Sequence, residues 1–232
     1  MRLLPFVAAL SLAGPAAAAS FDCTRASSPD EVAICANPRL SALDVLVDRA
    51  YGEARKGFGG AADPKDRARA LDDARDFNAR KRRCGADLGC LTAAHVGALE
   101  DFRIYGSSVQ VPAWIAATAM TPSVPVETRQ LPVREGECAR TRVTDIGGRL
   151  EGDADFSSGT SVGFANGGSQ VSYDRVPAIV ASRRGDPVLM CLTSIPKHCP
   201  PGDDRGRSYT STNLRTHASW SLADSQHMCG GA

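Results

Sequence analysis

Eight cysteines that follow an apolar N-terminal segment constrain this chain of 232 residues more than any other feature. Residues 1–19 have the three parts of an export signal. Arg2 gives the positive start, residues 3–13 form a short apolar run, and residues 17–19 supply small side chains before a cleavage point. We therefore predict cleavage before Ser20 and a mature protein that is periplasmic or secreted, in a bacterial cell envelope.

Export brings the cysteines into an oxidising compartment, where an even number of them predicts disulfides. Four cysteines precede residue 91 and four follow residue 137, so we predict two separately crosslinked units. Within them we favour three short loops and one bridge between the ends of the second unit. The predicted pairs are Cys23–Cys35, Cys84–Cys90, Cys191–Cys199 and Cys138–Cys229. The short spacings do not fit the usual zinc-ligand gaps, so no metal is expected.

Charge and hydropathy exclude two classes of partner. Arg2 is removed with the signal, so 26 of the 27 basic residues remain, opposite 26 acidic ones. Nucleic-acid binding by counterion release needs a basic excess, and this balance provides none. No apolar stretch of about 20 residues follows the signal, so we expect no integral membrane segment.

Residues 20–105 place apolar side chains at spacings of three and four, which is typical of helices that pack together. Residues 28–31 (Ser-Pro-Asp-Glu) form a helix start with a capping box. Further helices are predicted to begin near Pro38 and Pro64, and a last one spans the stripe from Leu91 to Phe102. Because each apolar stripe needs a partner, we predict a small disulfide-stapled antiparallel helical bundle.

The cysteine spacing in this unit is combined with several further sequence steps. The pattern reads Cys23-x11-Cys35-x4-Leu40-x2-Leu43-Asp44, then Tyr51, Arg75-x-Phe77 and Cys84-x5-Cys90-Leu91. Over residues 20–104 it resembles the N-terminal domain of the LprI-type lysozyme-inhibitor family. Phe77, His95 and Ala98 stand where that family commonly has Trp, Tyr and Arg. The resemblance implies an exported, disulfide-stapled helical domain and, as one function, lysozyme inhibition.

A basic run, Arg80-Lys81-Arg82-Arg83, precedes Cys84 at the predicted C-terminal end of a helix. Cations at this position complement the helix dipole on a solvated surface. They could also contact phosphate headgroups, anionic glycans or the catalytic carboxylates of a muramidase. An inhibitor that placed Arg82 or Arg83 between those carboxylates would block the proton transfers of hydrolysis.

Two other polar residues of this unit receive structural interpretations. Asp44 is expected at a helix surface or in a capping network rather than as an acid catalyst. His95 lies on an apolar helix face and is expected to be a half-buried packing residue.

Residues 106–137 contain four prolines and are predicted to be a semi-extended linker, with one short strand near residues 124–126. From residue 138 to 232 the pattern becomes strand-like. Asn166-Gly167 predicts a hairpin, and residues 188–192 form the most apolar run, which should be central.

About six strands are expected in this second unit, one of them an edge strand over residues 176–182 that contains a proline. Such short strands predict a small antiparallel β sandwich or partial barrel. The whole mature chain is therefore predicted to be α+β in two units.

The second unit also contains histidines and carboxylates that a hydrolase could use. They are His198, His217, His227, Asp203, Asp204 and Asp224. A Ser–His–Asp mechanism would need such residues to converge. We predict instead a non-enzymatic binding or inhibitory protein without a cofactor, with lysozyme as the best named target. The alternatives are a periplasmic module that binds a glycan or another envelope protein, and a hydrolase that uses a C-terminal histidine.

Overall fold

The computed structural model describes residues 19–231, so the predicted signal segment, apart from Ala19, lies outside the described residues. The described chain has five α-helices and six strands, which confirms the predicted α+β class. The helices are α1 Pro29–Ala36, α2 Pro38–Ala54, α3 Pro64–Cys84, α4 Leu88–Arg103 and α5 Pro177–Val180. The strands are β1 Cys138–Gly147, β2 Thr160–Phe164, β3 Ser169–Ser172, β4 Pro187–Ser194, β5 Ser208–Asn213 and β6 Ser219–Ala223.

The first four helices begin where short polar side chains satisfy free backbone N–H groups. The Glu31 carboxylate accepts a hydrogen bond from the Ser28 N–H at the start of α1. Asn37, Asp63 and Asp87 each accept backbone hydrogen bonds at the starts of α2, α3 and α4. Proline follows the cap of α1, α2 and α3, where its missing N–H costs nothing.

Helix α4 joins the two units. Every residue from Leu91 to Phe102 is buried, because α4 packs against α2 and α3 on one side and against β4 on the other. Leu189 and Cys191 of β4 belong to the same apolar cluster as the helices. A second cluster lies within the sheet. The helical unit and the sheet are thus in direct apolar contact.

The six strands form one antiparallel sheet in the order β3-β2-β1-β4-β5-β6. As predicted, the apolar strand β4 is central, and the Asn166-Gly167 hairpin joins β2 and β3. The sheet curls so that its outer strands meet. Gln170 of β3 donates a hydrogen bond of 3.0 Å from Nε2 to the Leu222 carbonyl of β6. The result is a partial barrel, one of the two predicted architectures.

Two predicted strands are absent from the described chain. Residues 176–182 contain the short helix α5, and Pro177 occupies its first turn, where proline is favoured. The segment near residues 124–126 forms no strand, and the nearest pairing is a single parallel bridge between Glu127 and Arg140. The prolines of this segment remove the N–H donors that a ladder would need.

All eight cysteines form disulfides, and each bond lies within one half of the chain, as predicted. The two N-terminal pairs, Cys23–Cys35 and Cys84–Cys90, are confirmed. The two C-terminal pairs are wrong.

The actual C-terminal bonds are Cys138–Cys191 and Cys199–Cys229. Strand register is the reason, because Cys138 of β1 lies directly opposite Cys191 of β4, with their Cα atoms 4.0 Å apart. Cys191 is held in the middle of the central strand and does not reach Cys199.

Gly97 allows the close approach of α4 to β4. A Cβ atom at this position would lie 2.2 Å from the Thr193 carbonyl oxygen. We predict that Gly97→Ala lowers the free energy of unfolding by about 1–3 kcal/mol, because backbone on both sides must move apart. Gly52→Ala in α2 is the matched control. No atom lies within 4 Å of its added Cβ, so it should stabilise the protein by roughly 0.5–1 kcal/mol. Urea unfolding of both variants measures this, and equal effects would contradict the prediction.

Candidate functional site

The basic run at the end of α3 divides into two inward and two outward cations. Arg80 Nη1 lies 2.9 Å from Glu135 Oε2, and Lys81 Nζ lies 3.5 Å from Asp44 Oδ1. Arg82 and Arg83 are exposed, and within residues 19–231 neither has a carboxylate at ion-pair distance. The first two side chains therefore serve the fold, and the other two are available to a partner.

A disulfide fixes the connection that presents these two arginines. Cys84, the last residue of α3, is bonded to Cys90 in the first turn of α4. Between them Gly85 adopts φ +56°, which ends α3, and Asp87 caps α4. Leu88 is 48% exposed in the same connection. We call residues 82–88 the basic tip. It combines two free cations and one exposed apolar side chain on a crosslinked helical corner.

A buried polar cluster lies beneath the inner face of α3. The Asp44 side chain is 2% exposed. Its Oδ2 accepts hydrogen bonds from the N–H and the hydroxyl of Ser20, at 2.9 and 2.6 Å. Its Oδ1 lies 3.4 Å from His95 Nε2. Burial alone would raise the pKa of Asp44, but these hydrogen bonds and the Lys81 charge outweigh it and hold the pKa well below its usual range.

These positions correct two expectations. Asp44 is buried in the bundle and not at the helix surface. Its carboxylate is balanced there by Ser20, His95 and Lys81. His95 is fully buried rather than half-buried. Its Nδ1 lies 2.7 Å from the Leu91 carbonyl, and its ring makes an edge contact with Phe77 at 5.0 Å between centroids. The His95 imidazole is thus fixed by packing against Phe77 and by a hydrogen bond with the Leu91 carbonyl, which is typical of a structural histidine.

A cavity of about 250 Å³ lies beside the Asp44 cluster, between α2, α3 and α4. Ser20, Asp44 and Lys81 form its polar part, and Tyr51 and Phe77 form its aromatic part. The Lys81 ammonium lies 5.0 Å from the centre of the Phe77 ring, which is a cation–π distance. The cavity is therefore lined by both charged and aromatic side chains.

A second buried polar cluster joins the two units. Lys197 Nζ lies 2.8 Å from Asp73 Oδ1, and the Tyr105 hydroxyl donates to Asp73 Oδ2 at 2.8 Å. Ser194 at the end of β4 donates to Asp101 of α4. Burial raises the pKa of Asp101 to about 7, despite the Ser194 hydrogen bond and the Lys197 charge, which act to lower it. Our prediction from the sequence missed this cluster, because its members are far apart along the chain.

The prediction of a non-enzymatic protein also overlooked two serine motifs. Residues 159–163 match Gly-x-Ser-x-Gly, and residues 194–197 match Ser-x-x-Lys. A nucleophile elbow needs a strand-to-helix turn, whereas Ser161 lies within β2 and donates its hydroxyl to the Gly148 carbonyl. The Lys197 ammonium is bound to Asp73 and not to the Ser194 hydroxyl. Within residues 19–231, neither hydroxyl makes a hydrogen bond to a basic side chain.

The three C-terminal histidines are all exposed. His198 lies in the Cys199–Cys229 region, His217 lies in the β5–β6 turn, and His227 lies near the C-terminus. Within the described range 19–231, none of these imidazoles makes a side-chain hydrogen bond or ion pair. His227, Asp224 and Ser161 border one open cavity of about 440 Å³, but no hydrogen bond connects them. The geometry of a Ser–His–Asp triad is therefore missing from this part of the structure.

In the described part of the chain, no group of three or more His, Cys, Asp or Glu side chains is placed to hold a metal ion. None of the helices described is both long enough and apolar enough to cross a membrane. No protein family, curated protein or solved structure gives a significant match to this chain.

Proposed function

We propose that this protein is an exported inhibitor that binds a muramidase, such as lysozyme, and closes its active-site cleft with the basic tip. The observation that carries the proposal is the division of the basic run. Arg82 and Arg83 remain exposed and free of ion pairs in the described structure, whereas Arg80 and Lys81 are used internally. The resemblance of residues 20–104 to the LprI-type family supports the same target.

The chemistry of the target fits this pair of cations. Muramidases hydrolyse the glycosidic bond with two carboxyl groups that lie about 5–9.5 Å apart in a cleft. A guanidinium binds a carboxylate through two parallel hydrogen bonds and keeps its charge at any physiological pH. An arginine held between the two carboxyl groups would stop one from donating a proton and the other from attacking or activating water.

The structure of the tip suits a protein that binds by occlusion. The Cys84–Cys90 bond holds the ends of α3 and α4 together, so little conformational entropy is lost when the tip becomes immobile in a cleft. Leu88 offers apolar surface beside the arginines. Because the mature chain has equal numbers of basic and acidic residues, we expect affinity from local contacts rather than from long-range attraction.

A lysis assay tests this proposal. Purified mature protein should slow the clearing of a bacterial cell-wall suspension by lysozyme. The double variant Arg82→Ala with Arg83→Ala should inhibit at least about 30-fold more weakly, because removing one partner of a buried charge pair costs 2–5 kcal/mol. Both side chains are exposed, so the variant should keep the melting temperature of the wild type.

Arg75→Ala is the matched control. Arg75 lies on the same helix, its side chain is 69% exposed, and among the residues that the structure describes its ion pair is with Asp72, three residues away. Its loss should leave inhibition unchanged. Lysis at the normal rate in excess protein, or equal inhibition by the double variant and the wild type, would rule out the proposed mechanism.

A further inference from the structure

Ser20, the residue that directly follows the predicted signal cleavage point, lies on the buried Asp44 carboxylate. Its backbone nitrogen lies 2.9 Å from Asp44 Oδ2, and its hydroxyl donates to the same oxygen at 2.6 Å. The two residues are 24 positions apart in sequence, so this contact is a tertiary one. The predicted export signal would be joined to the mature chain through this Ser20 nitrogen.

We propose that Asp44 is a binding site for the α-ammonium group that signal cleavage creates on Ser20. Cleavage breaks the amide bond between the Ala19 carbonyl carbon and the Ser20 nitrogen, and water supplies the atoms. The hydroxyl part of the water goes to Ala19, which leaves as a carboxylate. The Ser20 nitrogen takes up protons and becomes a cation at the carboxylate it already touches. Processing thus converts a hydrogen bond from a neutral donor to the ionised carboxylate into an internal ion pair.

The residues that follow Ser20 hold the new terminus in place. Phe21 packs on the core of the helical bundle, and its ring centre lies 5.9 Å from the Lys81 ammonium. Cys23 is bonded to Cys35 at the end of α1. Only two residues separate this crosslink from Ser20. The position of the terminus is therefore set by packing and by a covalent bond, and the ion pair needs little additional ordering.

The electrostatics of the site leave a place for this charge. Asp44 is 2% exposed, and Lys81 Nζ and His95 Nε2 lie 3.5 and 3.4 Å from its Oδ1, beyond the distance of a good hydrogen bond. Its Oδ2 is left to the Ser20 nitrogen and hydroxyl. An ammonium at 2.9 Å would place a full positive charge beside Asp44 Oδ2, whereas the bond from the uncleaved amide N–H is charge-assisted through its acceptor alone. The cavity of about 250 Å³ beside Ser20 leaves room for the other ammonium hydrogens to reach water.

Three forms of the protein test the proposal. The first begins at Ser20, the second begins at Ala18 and so keeps two residues of the signal, and the third begins at Ser20 with an acetylated amine. The first two are released from a removable fusion partner, the third is made from the first by acetylation of its α-amine, and all are oxidised. We expect the first to melt about 2–4 °C higher than the other two, because its α-ammonium adds a positive charge to a hydrogen bond that the other two forms still make through a neutral N–H. The difference should disappear when Asp44→Asn is introduced into each form.

Ser20→Ala is the matched control, because it removes the hydroxyl and keeps the ammonium. It should retain most of the difference between the processed and extended forms. Equal melting temperatures of the processed, extended and acetylated wild-type chains would overturn the proposal. So would N-terminal sequencing of exported protein that finds a first residue other than Ser20.

A chemical measurement needs no Asp44 variant and remains decisive if that variant does not fold. The α-amine of the folded processed chain should react with an amine-selective ester at least about tenfold more slowly than the α-amine of the same chain after reduction and unfolding, because the ion pair with Asp44 keeps it protonated. Reaction at the same rate in both states would contradict the site. None of these measurements depends on lysozyme, so they stand or fail separately from the proposed function.

Discussion

Alanine at both Cys138 and Cys191 is expected to lower the free energy of unfolding by about 4 kcal/mol. This bond closes a loop with a sequence separation of 53 residues, between the first and the central strand of the sheet. A disulfide stabilises chiefly by restricting the unfolded chain, and the restriction grows with loop length. Cys191 is also fully buried against α4, so the lost sulfur atoms leave unfilled space in the core that joins the two units.

The same change at Cys84 and Cys90 provides the comparison. Their separation is 6 residues, which predicts a smaller loss of about 2 kcal/mol. Guanidinium unfolding of both double variants, beside the oxidised wild type, gives the two values from the midpoints and slopes. A loss at Cys84–Cys90 equal to or larger than that at Cys138–Cys191 would contradict this account of the sheet crosslink.

These two disulfides also mark where sequence reasoning succeeds and where it fails. Cys84 and Cys90 flank the connection between two predicted helices, where the structure has Gly85 ending α3 and Asp87 capping α4. Short-loop reasoning is valid there. Cys138 and Cys191 are brought together by strand register, which depends on pairing between distant segments. The same preference for short loops therefore gave the wrong partner for Cys191.

The helices and the hairpin follow from local chemistry, and α5 does not. Caps and prolines predicted the starts of the first three helices, and Asn166-Gly167 predicted the β2–β3 turn. Residues 176–182 were predicted as a strand, and Pro177 suggested that it lay at an edge. A proline is equally compatible with the first turn of a short helix. The helix is favoured here because it packs Ile179 into the sheet core.

The inward and outward faces of the basic run could be predicted from the sequence. On a helix, residues three and four positions apart share a face, so Phe77, Arg80, Lys81 and Cys84 point the same way. The buried Phe77 identifies that face as the inner one, which leaves Arg82 and Arg83 outside. The partners of the inner cations could not be predicted in this way. Glu135 and Asp44 come from distant parts of the chain, and only the packing of α3 brings them near.

The buried carboxyl group of Asp101 predicts a second large effect, a dependence of stability on pH. Asp101 has an ordinary pKa near 3.9 in the unfolded chain, and burial raises it to about 7 in the folded protein. Between these values the folded state holds a proton that the unfolded state has released. The free energy of unfolding should therefore fall as pH rises from about 4 to about 7, by on the order of 4 kcal/mol, and this contribution should be constant above pH 7.

Asp101→Asn should remove most of that slope. The amide is neutral at every pH and still accepts the Ser194 hydrogen bond through its oxygen, so the variant should match or exceed the stability of the wild type at pH 7.5. Asp72→Asn is the control, because that carboxylate is exposed and makes only a surface ion pair with Arg75.

Other ionisable groups near Asp101 also contribute to the pH dependence of the free energy of unfolding. Asp73, Glu135 and Lys197 are the charges that affect its pKa, and burial also raises the pKa of its neighbour Glu100. Comparison of the Asn variant with the wild type at each pH isolates the part due to Asp101. Urea unfolding at pH 4.5, 6 and 7.5 is sufficient. An unchanged slope in Asp101→Asn would show that the contact between α4 and the end of β4 is not the titrating element. If the pH slope of the Asp101→Asn variant falls to the part due to the remaining groups, Asp101 is the group that lowers stability toward neutral pH. The junction between α4 and the end of β4 is then the part of the fold that weakens.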